Sequence, residues 1–517
     1  MIAMTLVLGA SALAFGVATW LGLPAVPLLI LSGVALGASG ALPPGNLLQD
    51  VLLLGLSFLM FVAGSELNPS RAGTQFRVAV KVGLAQFFLI AVVGFAVATG
   101  LGLGAVQAVY MGLAVTASST LVVLGILRQR QQFFEPFGRL VVGVLLLQDV
   151  LIIFFISALS RIDDGPLGVG LALAGISALV GLAWIWARWV APFLLLRLHL
   201  DDEAQLVVIL ANLFLFLGLS QWIRQPLPAG AFLAGVSLSA FPIGGIVRGQ
   251  MSSLFDFFLA LFFVVLGALL LIPAASSLWL VVLLTLLVLV STPLLVVLIV
   301  RGAGLSARTG IEGGLLLSQC SELSLVLALV GLGQGHLDDA LLSTVALVAV
   351  LTMILTPFIA TDRMAWSLMH LYPFRSSARL SWAPADHVLL LGCGPNIEPL
   401  LDRLVAGGQR VIVVDDDASV VRQLGDRGIE AVRGEGGDLD LLKTVGARRA
   451  RVLISTMRRI QDSERIIRHA AGRRVIVRVF SPEDATRIEA AGGVPVLYSA
   501  VGAEDFVRWF DREFPRG

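Results

Sequence analysis

The sequence is short of charge. Only 14% of its 517 residues are charged, whereas a soluble globular chain carries about 25%. The net charge is +1, so nothing favours a polyanionic partner, and we expect no nucleic acid to bind. Hydrophobic residues make up 57% of the chain, and the mean hydropathy is +0.92. These values exclude an ordinary soluble protein and predict one that lies in a lipid bilayer.

Cysteines and early basic residues are also scarce. Cys320 lies in an apolar segment and Cys393 in a distant glycine-rich turn, which argues against a disulfide framework. No Lys or Arg precedes the first apolar run, MIAMTLVLGASALAFGVATW. That run is therefore predicted to be a transmembrane helix rather than a secretory signal peptide.

Long apolar runs are what the sequence has instead, through about residue 360. Each is long enough to cross a hydrocarbon core of about 30 Å as a helix. The pattern predicts about 13 spans, at about 3–22, 24–39, 47–66, 80–100, 105–127, 139–160, 167–187, 204–222, 226–243, 254–272, 277–300, 311–334 and 339–361.

Basic residues between the spans predict an orientation. With the N-terminus outside, only Arg161 and Arg224 fall outside. The basic residues that fall on the cytoplasmic side are Arg71, Arg77, Lys81, Arg128, Arg130, Arg139, Arg188, Arg197, Arg248, Arg301, Arg308 and Arg363. An odd number of spans then places the C-terminal part in the cytoplasm.

An internal repeat runs through the apolar region. GVAL at 33–36 matches GVSL at 235–238, and FLMFVAG, ending at Gly64, matches LFFVVLG, ending at Gly267. The same offset carries TASST (116–120) onto QCSEL (319–323), so both copies interrupt an apolar span with polar residues. An offset of seven spans inverts one copy across the membrane, and inverted repeats with broken helices are typical of transporters.

Asp149 lies in the middle of the apolar stretch VGVLLLQDVLIIFF. An ionisable residue within a span marks a functional site by default. Burial favours its protonated form and a nearby cation favours its charged form, so a proton and a cation compete for it. The repeat places Thr352 opposite Asp149, which predicts one transport site rather than two.

Oxygen-bearing side chains surround this acid in the sequence. The predicted ion- and proton-binding residues are Asp149, Gln148, Thr116, Ser118, Ser119, Thr120 and Glu322. Oxygen ligands suit hard cations such as alkali ions. An ion pair with Arg139 is an alternative role for Glu322. We predict neither a catalytic residue nor a bound structural metal.

The composition changes after residue 363. We predict a transmembrane domain at 1–362, a linker at 363–385, a nucleotide-binding domain at 386–505 and a tail at 506–517. HVLLLGCGPNIEPLLDRLVAGGQRVIVVDDD reads as strand, glycine turn, helix, strand and acid. Gly392 and Gly394 permit close approach to a phosphate, and Asp415 stands where an acid binds ribose hydroxyls. Ile397 replaces the third glycine of that pattern.

Further strand–helix units predict a parallel, doubly wound sheet. A domain that has lost its ligand and serves only for dimerisation is the alternative. A dehydrogenase is disfavoured, because the chain ends soon after one such unit.

Six stretches together resemble the monovalent cation:proton antiporter-2 family, in particular its Kef-type potassium efflux members. They are FLMFVAGSELNP (58–69), SSTLVVLGIL (118–127), GRLVVGVLLLQD (138–149), LALFFVVLG (259–267), LLLSQCSEL (315–323) and the nucleotide-binding domain. Such a domain in this family is the N-terminal half of a regulator of potassium conductance module, also called a TrkA-N domain.

The resemblance implies a homodimer in which a mobile core carries the ion across by an elevator-like movement. It implies that Asp149 is the shared carboxylate, with Gln148 beside it. It also implies that Gly392, Gly394, Asp415 and Glu435 contact a nucleotide such as AMP or NAD(H).

Two departures from the family pattern matter. Some relatives carry a lysine where this chain has Ser291, Thr292 and Pro293, and many read Gly-Gly-Glu where it has Cys320, Ser321 and Glu322.

The sequence therefore predicts a polytopic α-helical membrane domain with crossed broken helices, followed by a cytoplasmic α/β Rossmann-like domain. The expected function is potassium efflux coupled to proton uptake across the bacterial inner membrane, regulated by a nucleotide. A sodium/proton antiporter of the same architecture stays open, because selectivity depends on site size and field strength. A nucleotide-gated channel or sensor without antiport is the other alternative.

Overall fold

The computed structural model describes most of the chain. The described residues are 2–40, 47–66, 76–130, 132, 136–198, 200–240, 243–270, 278–369, 371, 385–394, 397–457, 459–470 and 472–514. Arg71 and residues 372–384 of the predicted linker lie outside them. The chain divides into two compact units, one formed by Met1–Ile299 and Gly310–Ala365, the other by Val300–Thr309 and Trp366–Gly517.

The first unit is helical. Its helices are α1 (Ile2–Leu21), α2 (Ala25–Ala38), α3 (Leu47–Ser65), α4 (Phe76–Gly100), α5 (Ala105–Ala114), α6 (Thr120–Gln129), α7 (Pro136–Leu159), α8 (Gly165–Ile185), α9 (Asp202–Trp222), α10 (Leu227–Ser237), α11 (Ile243–Leu269), α12 (Leu278–Gly302), α13 (Ala307–Leu317), α14 (Glu322–Gly333) and α15 (Asp339–Ile359). A 3-10 turn at Ile162–Asp164 precedes α8, and two short π-helical segments at Trp186–Val190 and Phe193–Arg197 follow it.

Length and composition identify this unit as membrane-spanning. Among the described residues, seven helices are long and apolar enough to cross a membrane, or up to nine if each of two bent pairs is one span. Every one of the predicted spans contains a helix or a pair of shorter helices. The predicted multi-pass helical fold is confirmed, and the number of spans beyond those stays a prediction.

The helices pack in two groups that follow the predicted repeat. Helices α1 to α3 pack with α9 to α11, and α4 to α7 pack with α14 and α15. Helix α8 contacts α7 on one side and α10 on the other. It stands between the two copies of the repeat, as the sequence predicts for the linking span.

Matching glycines place the crossings within the first group. A Cβ atom on Gly33 of α2 would lie 2.1 Å from the carbonyl oxygen of Val264 in α11. A Cβ atom on Gly235 of α10 would lie 1.9 Å from the carbonyl oxygen of Phe61 in α3. The partners as well as the glycines are related by nearly the same offset, so the two crossings are copies of one contact. This supports the repeat that GVAL and GVSL predict.

A third glycine pair extends this symmetry to the second group. A Cβ on Gly112 of α5 would lie 2.6 Å from the carbonyl oxygen of Ala91 in α4. A Cβ on Gly314 of α13 would lie 2.6 Å from the Cα of Pro293 in α12. Glycine is needed at all these positions because the backbones approach more closely than any side chain allows.

We expect Gly235→Ala to destabilise the protein strongly. The new methyl group would overlap the backbone of α3 and force α10 away from it, at a cost of about 1–3 kcal/mol or more. Gly218→Ala on the neighbouring α9 is the matched control, since its Cβ would meet nothing within 4 Å. Thermal unfolding in detergent measures both variants. Equal melting temperatures for the two would contradict the close crossing.

The second unit contains a six-stranded parallel sheet of order β3-β2-β1-β4-β5-β6. Its strands are β1 (Val388–Leu391), β2 (Val411–Asp415), β3 (Glu430–Arg433), β4 (Val452–Ser455), β5 (Val475–Val479) and β6 (Val494–Leu497). The helices of this unit are α16 (Asp362–Met369, which begins in the first unit), α17 (Glu398–Ala406), α18 (Ala418–Asp426), α19 (Leu439–Thr444), α20 (Ile460–His469), α21 (Pro482–Ala490) and α22 (Tyr498–Glu513).

Two buried apolar clusters, on the two faces of the sheet, form the core of this unit. One includes Leu389, Ile412 and Leu453, and the other includes Leu390 and Val413. Strands buried on both faces read as continuous apolar runs, which is why VLLL and VIVV were recognisable in the sequence. The predicted Rossmann-like sheet is confirmed.

Candidate functional site

Two helices of the first unit are interrupted at matching places. Residues 115–119 separate α5 from α6, and residues 318–321 separate α13 from α14. Ser119 caps α6 by accepting a hydrogen bond from the Val122 N–H, and Ser321 caps α14 by accepting one from the Leu323 N–H. Hydroxyl residues compete with the helical hydrogen bonds, which explains why the chain unwinds at these sequences.

Each broken helix caps the carbonyl end of the other. The Ser118 hydroxyl donates to the Leu317 carbonyl oxygen at 2.7 Å, and the Ser324 hydroxyl donates to the Ala114 carbonyl oxygen at 2.6 Å. The two interruptions therefore cross, as the sequence predicts. Half-helix termini of both polarities meet here, each with roughly half a unit charge.

Asp149 lies at this crossing. Its side chain, on α7, is only 3% exposed, and the Thr120 hydroxyl donates to its Oδ2 at 3.1 Å. Thr120 is the first residue of α6, so the carboxyl group faces the N-terminal end of a half-helix. No basic side chain among the described residues forms an ion pair with Asp149.

Gln148 holds the unwound segment in position. Its Oε1 accepts a hydrogen bond from the Ser118 N–H at 3.0 Å, and its Nε2 donates to Oε1 of Gln86 at 2.5 Å. Gln86, on α4, donates in turn to the Thr116 carbonyl oxygen at 3.3 Å. Sequence reasoning missed Gln86, although an amide in the otherwise apolar VGLAQFFLIAVV was a signal that could have found it.

The second repeat has a neutral version of the same arrangement. The Thr352 hydroxyl accepts the Cys320 N–H at 3.0 Å, as Gln148 accepts the N–H of Ser118. Thr352 is the predicted counterpart of Asp149. The crossing is therefore asymmetric, because an acid on α7 of one repeat corresponds to a threonine on α15 of the other.

Two buried acceptor oxygens beside the second interruption are among those without a hydrogen-bond donor in the described part of the chain. They are Oε2 of Glu322 and Oε1 of Gln319. The amide nitrogen of Gln319 donates to the Ser119 carbonyl oxygen at 3.5 Å, so this side chain reaches the first broken helix. A buried acceptor without a donor is unfavourable unless a proton or a cation satisfies it. The predicted Glu322–Arg139 ion pair stays a prediction.

The structure thus places the seven predicted ion-site residues at or beside the two interruptions, and Gln86 and Gln319 contact the same segments. Within the described ranges there is no group of three or more His, Cys, Asp and Glu residues that could hold a metal ion.

The predicted nucleotide-binding residues lie at the edge of the sheet where β1 and β2 end. Gly392 has φ of 87°, a conformation that favours glycine, and a Cβ there would make a tight contact of 3.0 Å with the Thr456 hydroxyl. The carboxylate of Asp415 ends β2 and accepts the Cys393 N–H at 2.7 Å and the Asp417 N–H at 2.9 Å. Burial raises the pKa of Asp415, and these two N–H groups oppose the rise.

Ile397 occupies the third glycine position of the phosphate-binding pattern, and it belongs to the apolar core. Ile397 is buried and packs with Leu390 and Leu401 in the apolar cluster. Its side chain points into the protein rather than toward the glycine turn, which leaves that turn unobstructed by it. A Cβ on Gly394 would meet nothing within 4 Å.

Glu435 lies beside an arginine that no sequence motif marks. In the second unit, Arg308 donates to both oxygens of Asp462, at 2.6 and 3.2 Å, and its Nη1 lies 3.7 Å from Oε2 of Glu435. The guanidinium carbon also lies 4.6 Å from the ring centre of Trp366. Burial and the nearby Asp416 raise the pKa of Glu435 to about 7, against the opposing effect of Arg308.

This shift predicts a pH dependence of stability. The ordinary pKa of a glutamate is 4.5, so between about pH 4.5 and 7 the folded state binds a proton at Glu435 that the unfolded state has lost. Stability must then fall as the pH rises through this window, by at most on the order of 3 kcal/mol.

Hydrogen exchange of peptides from the sheet, corrected for the intrinsic effect of pH, measures this slope in the full chain. We expect Glu435→Gln to flatten it. An unchanged slope in that variant would assign the effect to other groups.

Crossed interruptions around a buried acid on α7, followed by a separate parallel sheet with a glycine turn, define a secondary transporter with an attached Rossmann-like domain. The model of the transmembrane sodium/hydrogen exchanger family matches residues 4–361, and the chain belongs to that family. Residues 388–498 match the TrkA-N domain. The protein is thus a cation/proton antiporter with a regulatory TrkA-N domain, rather than an enzyme.

The chain is similar to one curated protein and to two solved structures. The chain is 24% identical over 504 residues to the "Putative cation/proton antiporter YbaL" of Escherichia coli K12, covering 90% of this chain and 89% of that protein. The sodium proton antiporter MjNhaP1 from Methanocaldococcus jannaschii is 16% identical with a TM-score of 0.52, over 72% of this chain and 99% of that one. The TrkA-N domain of inner membrane protein YbaL from Escherichia coli is 21% identical with a TM-score of 0.24, over 24% and 97%.

The resemblance to cation:proton antiporters with a TrkA-N domain is therefore confirmed. The Kef-type assignment and the choice of potassium stay predictions.

Proposed function

We propose that the protein exchanges potassium for protons on the carboxylate of Asp149. The observation that carries this is the position of Asp149, buried at the crossing of two interrupted helices with a hydroxyl as its hydrogen-bond partner. A basic partner would hold the carboxylate charged at all times. Without one, burial favours the neutral acid until a cation arrives, so one occupant displaces the other.

The surrounding groups divide into two roles. Gln148 and Gln86 position the unwound segment, because their amide oxygens already accept hydrogen bonds from the protein. The side-chain oxygens of Thr120, Glu322 and Gln319 would bind the cation together with Asp149. Thr116, Ser118 and Ser119 contribute through the unwound backbone, whose carbonyl oxygens suit an alkali ion better than they suit a softer metal.

Alternating access follows from the two groups of helices. The carboxylate and both interruptions belong to α5 to α7, α13 and α14, and none of them belongs to the group of α1 to α3 and α9 to α11. Movement of the helices that bear the site past the group of α1 to α3 and α9 to α11, with α8 as the connection, would carry the site across without remaking it. We propose this elevator-like movement in a homodimer.

The TrkA-N domain is proposed to bind a regulatory nucleotide such as AMP or NAD(H). Gly392 and Gly394 would admit the phosphates, and the helix that begins at Glu398 adds a favourable N-terminal end. Asp415 and Glu435 would contact the ribose. We place this domain in the cytoplasm of a bacterial cell and the helices in its inner membrane, as the distribution of basic residues predicts.

Antiport in reconstituted vesicles tests this function. An imposed pH gradient should drive uptake of K⁺, and addition of AMP or NADH should change the rate. The same assay with Na⁺ decides between the two ions, since a sodium antiporter would show the stronger flux with Na⁺. Cation flux that neither saturates nor responds to a pH gradient would point to a channel instead.

A further inference from the structure

His336 joins the two broken helices to a turn that precedes α8. Its Nδ1 lies 3.0 Å from the hydroxyl of Tyr110 in α5, and its Nε2 lies 2.8 Å from Oδ2 of Asp163. The histidine follows α14 and its side chain is 9% exposed, whereas that of Asp163 is 74% exposed. Solvent protons therefore reach this contact, while Asp149 is shielded from them.

The same turn also contacts the other group of helices. Arg161 donates to the carbonyl oxygens of Ile223 and Arg224 at 3.4 and 3.3 Å, between α9 and α10. The turn is thus bonded through Asp163 to the group that carries the transport site, and through Arg161 to the group that does not. If the two groups of helices move relative to each other, the turn can stay bonded to only one of them, and the contact with the other must break.

Few other charged groups surround the imidazole. Of the described residues, Tyr110 and Asp163 are the titratable groups whose polar atoms contact its ring. Asp338 is close in the chain, but its carboxylate accepts the Leu341 N–H and caps α15. The protonation of His336 therefore acts mainly on its bond to Asp163.

We propose that His336 is a proton-operated latch between the two groups of helices. A neutral ring accepts from Tyr110 at Nδ1 and donates a neutral hydrogen bond to Asp163. A protonated ring donates from both nitrogens, and the bond to Asp163 becomes an ion pair, which is stronger. Acid on this face therefore fastens the turn to the broken helices and slows exchange.

The latch is a regulation of the proposed antiport and rests on it, but its chemistry is separate from that of Asp149. Histidine is suited to the role because its charge ordinarily changes between about pH 5 and 8. Arg161 and Arg224 also place this turn on the outer side in the predicted topology. The latch would then sense external acidity.

The test uses the full chain in proteoliposomes, with the pH varied on one face at a time. When the pH on the Asp163 face falls from about 7.5 to 5.5, the exchange rate of the wild-type protein should fall. We expect the factor of this fall to be about threefold smaller in His336→Gln and in Asp163→Asn. Asp164→Asn is the matched control, being the next acid in the same turn and without a contact to His336. The Asp163 side chain is largely exposed, so Asp163→Asn should fold even if His336→Gln does not.

Two results would overturn the latch. One is an acid slope on the Asp163 face that is unchanged in both variants, and the other is an equal loss of slope in Asp164→Asn. Failure of the antiport proposal is recognised separately, by flux that persists in Asp149→Asn vesicles. His336→Gln and Asp163→Asn are judged only by their slopes relative to wild type.

Discussion

Replacing Asp149 by asparagine should reduce pH-driven cation exchange to the rate of protein-free vesicles. Asparagine has nearly the same shape and can still accept from Thr120, so the crossing of the two broken helices should survive. It cannot carry a proton, and it cannot offer a charge to a cation. Exchange therefore loses the carboxylate that the proton and the cation are proposed to share, which is why this is the largest effect that we expect.

Asp256→Asn serves as the control, since it removes an exposed acid from α11 in the other group of helices. Its exchange rate should match that of the wild-type protein. Both variants should elute from size exclusion as the wild type does. An undiminished exchange rate in Asp149→Asn would refute the assignment of Asp149 as the shared carboxylate. An equal loss of exchange in Asp256→Asn would mean that removing any acid from the helices has this effect.

Replacing Asp415 by alanine should weaken nucleotide binding by about 10- to 100-fold, the usual worth of hydrogen bonds to a charged group. Each carboxylate oxygen accepts one backbone N–H, from Cys393 or Asp417, and each has a second lone pair for a ribose hydroxyl. The substitution removes the ribose contact and also loosens the glycine turn. Titration of AMP and of NADH into the full chain measures the change.

Asp426→Ala, at the exposed end of α18, is the control for this titration and should bind as the wild type does. Undiminished affinity in Asp415→Ala would place the nucleotide elsewhere. No binding of either nucleotide to the wild-type chain would favour the alternative that this domain has lost its ligand.

Local sequence signals predicted several residues and elements that the structure brings together. An acid in an apolar stretch, a run of hydroxyl residues in another and a shared offset pointed to Asp149, to the break at 115–119 and to Thr352. The glycine crossings in the structure obey the same offset, because a repeat copies the partners along with the glycines. Strand, glycine turn and acid in sequence predicted the start of the parallel sheet.

Residues that act through distant partners could not be predicted in this way. Gln86 matters because it meets Gln148 and the Thr116 carbonyl group, both far along the chain. Arg308 was assigned only to a cytoplasmic loop, and nothing near it in sequence indicates a bidentate bond to Asp462. The role of Ile397 depended on the direction of its side chain, which a glycine pattern does not encode.

Binding of K⁺ to the purified protein at a series of pH values tests most directly whether a proton and a cation share one carboxylate. If they exclude each other on Asp149, the apparent dissociation constant for K⁺ should rise about tenfold for each unit by which the pH falls in the acid range. The number of K⁺ ions bound at saturation should stay unchanged. A dissociation constant independent of pH would mean that both bind at once, and would contradict the account.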